Sequence, residues 1–147
     1  MKAIMSFIIL LLVSSFQVYP QGISGVEIGS QTPGAQYETV FLTQEGLLTV
    51  LSNKRKGKVY DLVFETKVPI PVSESYQMKS SFASVYGISL NDFELETTQV
   101  YKESIQELTY VDNRKNIYSI FVFDSSNNSG TYVKFIFSIT SERYYKP

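Results

Sequence analysis

The stretch that decides the fold is residues 117–140: IYSIFVFD (117–124), SSNNSG (125–130) and TYVKFIFSIT (131–140). Two runs rich in β-branched and aromatic residues flank a polar cluster that ends in Gly130, which is the sequence signature of a β-hairpin. Side chains alternate between faces along a strand. In the second run Val133, Phe135, Phe137 and Ile139 share one face. Tyr132, Lys134, Ser138 and Thr140 share the other, with Ile136 as the exception. The first run is apolar on both faces, with Ile117, Phe121 and Phe123 on one and Tyr118, Ile120 and Val122 on the other. A strand of this kind is central and covered on both sides. Phe121 and Phe135 are the core residues expected of this hairpin.

An element elsewhere must supply the cover, and residues 73–86 are the one amphipathic helix in the chain. Met78, Phe82, Val85 and Tyr86 recur at helical spacing. Ser73 or Ser75 is placed to cap the start, and Gly87 stands where a left-handed residue closes a helix, with Ile88 beyond it. Before the helix, 37–43, 47–52 and 59–67 read as strands. Gln44-Glu45-Gly46 reads as the first turn and the basic run 53–58 as the second; Pro69 and Pro71 end the third strand. After it come a strand over 93–101, with Phe93, Leu95 and Tyr101 inward, a strand over 104–111, and the hairpin. Residues 21–36 read as a flexible lead-in with a short edge strand near Val26, and 141–147 as a frayed tail. These elements predict an α+β domain over 26–147, a predominantly antiparallel sheet of six or seven strands with one helix on a face. A small β-barrel with one helix is the alternative.

The composition bounds the chemistry. The chain has 147 residues with a net charge of −1 and no cysteine or histidine. No disulfide is available, so stability comes from the core alone. Ser–His–Asp and Cys–His sites are excluded, and zinc loses both of its favoured ligand types. Near-neutral charge gives no whole-domain attraction to nucleic acid. No cofactor or metal is expected. Lys2 followed by the apolar run 3–13 reads as a secretory signal peptide ending by about residue 25, with an uncleaved membrane anchor as the rival reading. No cysteine follows that run, so a lipoprotein anchor is excluded.

Three constellations have functional readings. Lys54, Arg55, Lys56 and Lys58 gather four positive charges in one turn, a candidate contact for an anionic partner. Asp92, Glu94 and Glu96 form a carboxylate row on one strand face. Together with Asp61 and Glu65 they are the material for a carboxylate-dependent glycan hydrolase, if two of them meet in a cleft with aromatic walls. Asp124, Asn127 and Asn128 surround a turn rich in oxygen ligands but match no EF-hand spacing. The expectation is an exported, non-catalytic binding module of a bacterial envelope or extracellular space, its partner a protein, peptide or glycan. A glycan hydrolase and a structural subunit of an envelope assembly are the alternatives.

Overall fold

The computed structural model describes residues 21–125 and 130–145. The apolar run near the N-terminus and residues Asn127 and Asn128 lie outside the described residues. Ten strands and two helices follow in chain order: β1 (Gly22–Ile23), β2 (Val26–Glu27), β3 (Ala35–Phe41), β4 (Gln44–Ser52), β5 (Val59–Thr66), β6 (Ile70–Pro71), α1 (Ser75–Val85), β7 (Glu94–Val100), β8 (Glu103–Val111), β9 (Asn116–Ser125), β10 (Tyr132–Ser141) and α2 (Glu142–Tyr145). The main sheet is antiparallel, in the order β3-β4-β5-β10-β9-β8-β7, with β6 pairing the start of β10. It is open, not a barrel, with one main helix on a face, so the α+β architecture read from the sequence is the observed one.

The hairpin of β9 and β10 sits at the centre, and its register sets the two faces. Phe135 lies opposite Val122, Phe137 opposite Ile120 and Ile139 opposite Tyr118. On the other side of β10, Phe137 meets Phe64 and Ile139 meets Leu62. All of these are buried, and Met78, Phe82 and Ala83 of α1, with Tyr86 just past its end, close over them. Phe82 stacks on Phe137 with ring centroids 4.9 Å apart, and Phe41 meets Phe137 edge-on at 6.0 Å. Aromatic pairs favour such offset-stacked and edge-to-face arrangements.

The helix ends as its sequence predicts. Gly87 adopts φ +67°, its N–H donates to Ser84 O, and the Ile88 N–H donates to Ala83 O, which completes a Schellman closure. The start differs. A 3₁₀ turn over Val72–Glu74 leads directly into α1, and neither Ser73 nor Ser75 supplies a side-chain cap.

Several other expectations are corrected. Phe121 is not a core residue beside Phe135. It faces the opposite side of the sheet and is half-buried, because α1 covers only the Phe135 side and no described helix covers the other. The first hairpin turns at Leu42 and Thr43, both at positive φ, so Gln44-Glu45-Gly46 belongs to β4. Gly46 serves close approach and not a turn, since a Cβ there would fall 2.5 Å from the Phe64 ring and 2.3 Å from Glu65 O. Tyr101, expected inward, is 93% exposed at a turn, and Leu95 is 62% exposed, because β7 is an edge strand beyond the reach of α1. The stretch read as a flexible lead-in is docked. Ile23 is fully buried, the Tyr86 hydroxyl donates to Gly22 O at 2.8 Å, and the Gly29 N–H donates to Val59 O. Of the segment read as a frayed tail, Ser141 ends β10 and Glu142–Tyr145 form α2.

Candidate functional site

The basic turn 53–58 joins β4 to β5 and is built around Asn53. Its side chain is buried, and Oδ1 accepts from the Arg55 N–H at 2.8 Å and the Lys56 N–H at 3.2 Å. The Asn53 N–H donates to Lys58 O, and Gly57, at φ +65°, donates back to Asn53 O. Asn is suited to this role because its short amide satisfies backbone donors two and three residues on. The turn therefore holds Lys54, Arg55 and Lys56 exposed and Lys58 half-buried.

Strand pairing brings two further basic segments to the same end of the sheet. The start of β5 lies beside the end of β10, which lies beside the start of β9 and the end of β8. The β8–β9 turn carries Arg114 and Lys115, both exposed, and α2 carries Arg143, also exposed. Tyr144 ties the cluster together. Asn53 Nδ2 donates to Tyr144 O at 3.2 Å. Lys58 Nζ lies 5.7 Å and Arg143 Cζ 5.6 Å from the centre of the Tyr144 ring, within cation–π range. The ring itself rests on Gly29, where a Cβ would come within 2.8 Å of it. Tyr145 packs edge-on to Tyr60 at 5.3 Å, and the Glu142 N–H donates to Lys115 O at 3.3 Å.

The acid within the β8–β9 turn is engaged by the turn's own donors and forms no ion pair among the described residues. Asp112 directs its carboxylate inward: Oδ1 accepts from the Arg114 and Asn116 N–H groups, and Oδ2 from Asn116 Nδ2 and the Tyr118 hydroxyl. Burial, and after it the Asp112 charge, pushes the Tyr118 hydroxyl up to about 12. Among the described residues none of these cations forms an ion pair with a carboxylate. Sequence reasoning found Lys54, Arg55, Lys56 and Lys58 but missed Arg114, Lys115, Arg143 and Tyr144. Only the non-local pairing of β5 with β10 brings these to the same end.

The carboxylates are not brought into one cleft. Asp92 lies in a 3₁₀ turn (Leu90–Asp92), off the row that Glu94 and Glu96 form on the exposed edge strand β7. Asp61 and Glu65 lie on the sheet face away from α1. Burial raises the Asp61 pKa, partly offset by the hydrogen bond from the Thr140 hydroxyl at 2.8 Å. Glu65 pairs with Lys134. Glu65 and Glu38 line a groove of about 330 Å³ with Leu47, Pro69 and Lys67, but each has a lysine partner, Lys67 standing 3.5 Å from Glu38. The walls of this groove hold no aromatic ring. Asp124 is half-buried at the end of β9, and the Asn127 and Asn128 that would complete an oxygen-ligand turn lie outside the described residues. Among the described residues no helix is long and apolar enough to cross a membrane. No protein-family model, curated protein or solved structure matches the chain.

Proposed function

We propose that the chain is an exported, non-catalytic binding module that docks an acidic glycan through the basic end of its sheet. The observation that carries this reading is the convergence of three segments distant in sequence. Lys54, Arg55, Lys56 and Lys58 from one turn, Arg114 and Lys115 from another, and Arg143 from α2 all lie at one end of a chain whose net charge is −1. They include all three arginines of the chain. Arginine offers a planar fork that pairs in bidentate fashion with carboxylate and sulfate-like groups. Tyr144, Tyr145 and Tyr60 add ring surface beside those cations, which suits a sugar polymer carrying acidic substituents. Export rests on the Lys2 and 3–13 pattern. The non-catalytic reading is supported by the open placement of Glu94 and Glu96 and by the lysine partners of Glu38 and Glu65.

The test is binding of the purified protein to heparin, as an acidic polysaccharide probe, across a salt series. Screening shortens the Debye length from about 30 Å at 0.01 M to about 8 Å at physiological ionic strength, so affinity should fall steeply over that range. Glutamine replacement of Lys54, Arg55, Lys56 and Lys58 should weaken binding at least tenfold. A separate Arg114/Lys115/Arg143→Gln variant should do the same, although the sequence between the two sets is untouched. Salt-independent binding, or full affinity in the second variant, would refute the composite site. Equal binding of duplex DNA would show a general polyanion surface and not a glycan site.

A further inference from the structure

The opposite concern of an antiparallel sheet is its edges, and the two edges here are finished differently. At β3 the lead-in folds back, and the Ser24 hydroxyl donates to Val40 O. At β7 no described element lies alongside, and every residue from Glu94 to Val100 is exposed. The strand is regular along its full pairing with β8, without bulge, proline or lysine, and its only charged residues are Glu94 and Glu96.

The two faces of this edge ask for different side chains. On the helix side Leu95 continues the row Ile120–Leu108–Leu95. The first two are buried and the third is left open. On the other face Glu96 lies directly opposite Glu107, and Glu94 follows one step along the same face. Like charges directly opposite on adjacent strands are unfavourable. Among the described residues none of these three glutamates has an ion-pair partner.

We infer that β7 is a docking edge for an extended peptide segment of another protein, added as a further strand, with apolar and basic residues in alternation. The backbone edge supplies hydrogen bonds, the apolar residues cover Leu95, and the basic residues meet Glu94 and Glu96. A second copy of this chain fits less well. Antiparallel pairing of two β7 strands about Thr97 places Glu96 opposite Thr98 and brings no cation to either glutamate.

The experiment uses a labelled peptide of alternating valine and lysine, titrated into the purified protein with hydrogen exchange followed at residues 94–100. Saturable binding with protection of alternating amides in that stretch is the expected result. Glu94→Gln with Glu96→Gln should weaken binding at least tenfold, as should a peptide with glutamate in place of lysine. A peptide N-methylated on alternate residues keeps its charge but loses its strand donors, and it should not bind. Undiminished binding of the methylated peptide, or protection elsewhere than 94–100, would overturn the proposal. A dimer of the protein that excludes the peptide would overturn it in favour of pairing between copies.

Discussion

Replacing Phe137 by alanine is the sharpest test of how this fold is held. Phe137 is fully buried on β10, stacked on Phe82 at 4.9 Å and on Phe135 at 5.5 Å, and met edge-on by Phe41 at 6.0 Å. A buried Phe→Ala change costs about 3–5 kcal/mol, through lost transfer free energy and the cavity left behind. Aromatic pairs add about 0.5–1.5 kcal/mol beyond area burial, and three rings lose their partner here, so about 5 kcal/mol is expected. Stabilities of small domains span about 5–15 kcal/mol, so the variant should lose between about a third and all of its margin. With a urea slope of about 2 kcal/mol per molar, the midpoint should drop by roughly 2–2.5 M. Phe121→Ala is the control, because that ring is half-buried on the face that α1 does not cover. It should cost only about 1–2 kcal/mol. Urea melts followed by far-ultraviolet circular dichroism measure both. Equal losses, or a larger loss at Phe121, would mean that the core lies on the other side of the sheet and would refute the packing described.

Two further outcomes are expected. In a phenolate absorbance titration of the native protein, Tyr118 should ionise late, near 12, with Tyr86 later still because burial, and then its neighbour Tyr118, raise it further. Both folded values lie above the ordinary value of about 10, so their contribution to stability is complete below pH ~10. That of Tyr118 is lost as pH rises through about 12, and that of Tyr86 at higher pH still. Tyr118→Phe should flatten the first loss, and a single transition near 10 for every tyrosine of the folded protein would contradict it. For the proposed export with cleavage, intact mass of the protein from its native envelope or medium should place its N-terminus between roughly residue 16 and residue 22, since removal of Ile23 would take a fully buried side chain from the core, and recovery of the full chain from membranes would point to an anchor instead.

The local patterns of the chain were legible because each is written within one element. The period-two alternation from Val133 to Ile139 placed β10 correctly, and Gly87 marked the helix end. What depended on partners was not legible. Phe121 alternates as a core residue should, and only the coverage by α1 decides that its face stays half-open. Leu95 and Tyr101 are apolar in a strand context, and nothing local says that β7 is an edge. Gly46 looks like a turn glycine until the Phe64 ring is placed across it. The same holds for the basic site: its first four cations fall within one turn, while Arg114, Lys115 and Arg143 join them through contacts between segments distant in sequence, Glu142 to Lys115 and, 91 residues apart, Asn53 to Tyr144.

A basic cluster on a disulfide-free chain must be assembled by other means, and the hydrogen bonds at this end show which. Cations crowded at one end repel one another, and side chains on floppy turns lose more entropy when they bind than those on fixed ones. Both turns here are fixed from inside by a short polar side chain. Asn53 holds the backbone of Arg55 and Lys56, and Asp112 holds that of Arg114. The choice of residue differs with its surroundings: the amide of Asn53 also donates to Tyr144 O, which a carboxylate cannot do. Asp112 meets only donors, from Arg114, Asn116 and Tyr118, so a carboxylate is the better acceptor there. Its oxygens are thereby engaged by the turn's own donors and, among the described residues, in no ion pair, and Arg114 and Lys115 beside it remain exposed. Asn53 and Asp112 thus set the positions from which the cations act, although neither is a cation and neither stands out in the sequence as part of a site.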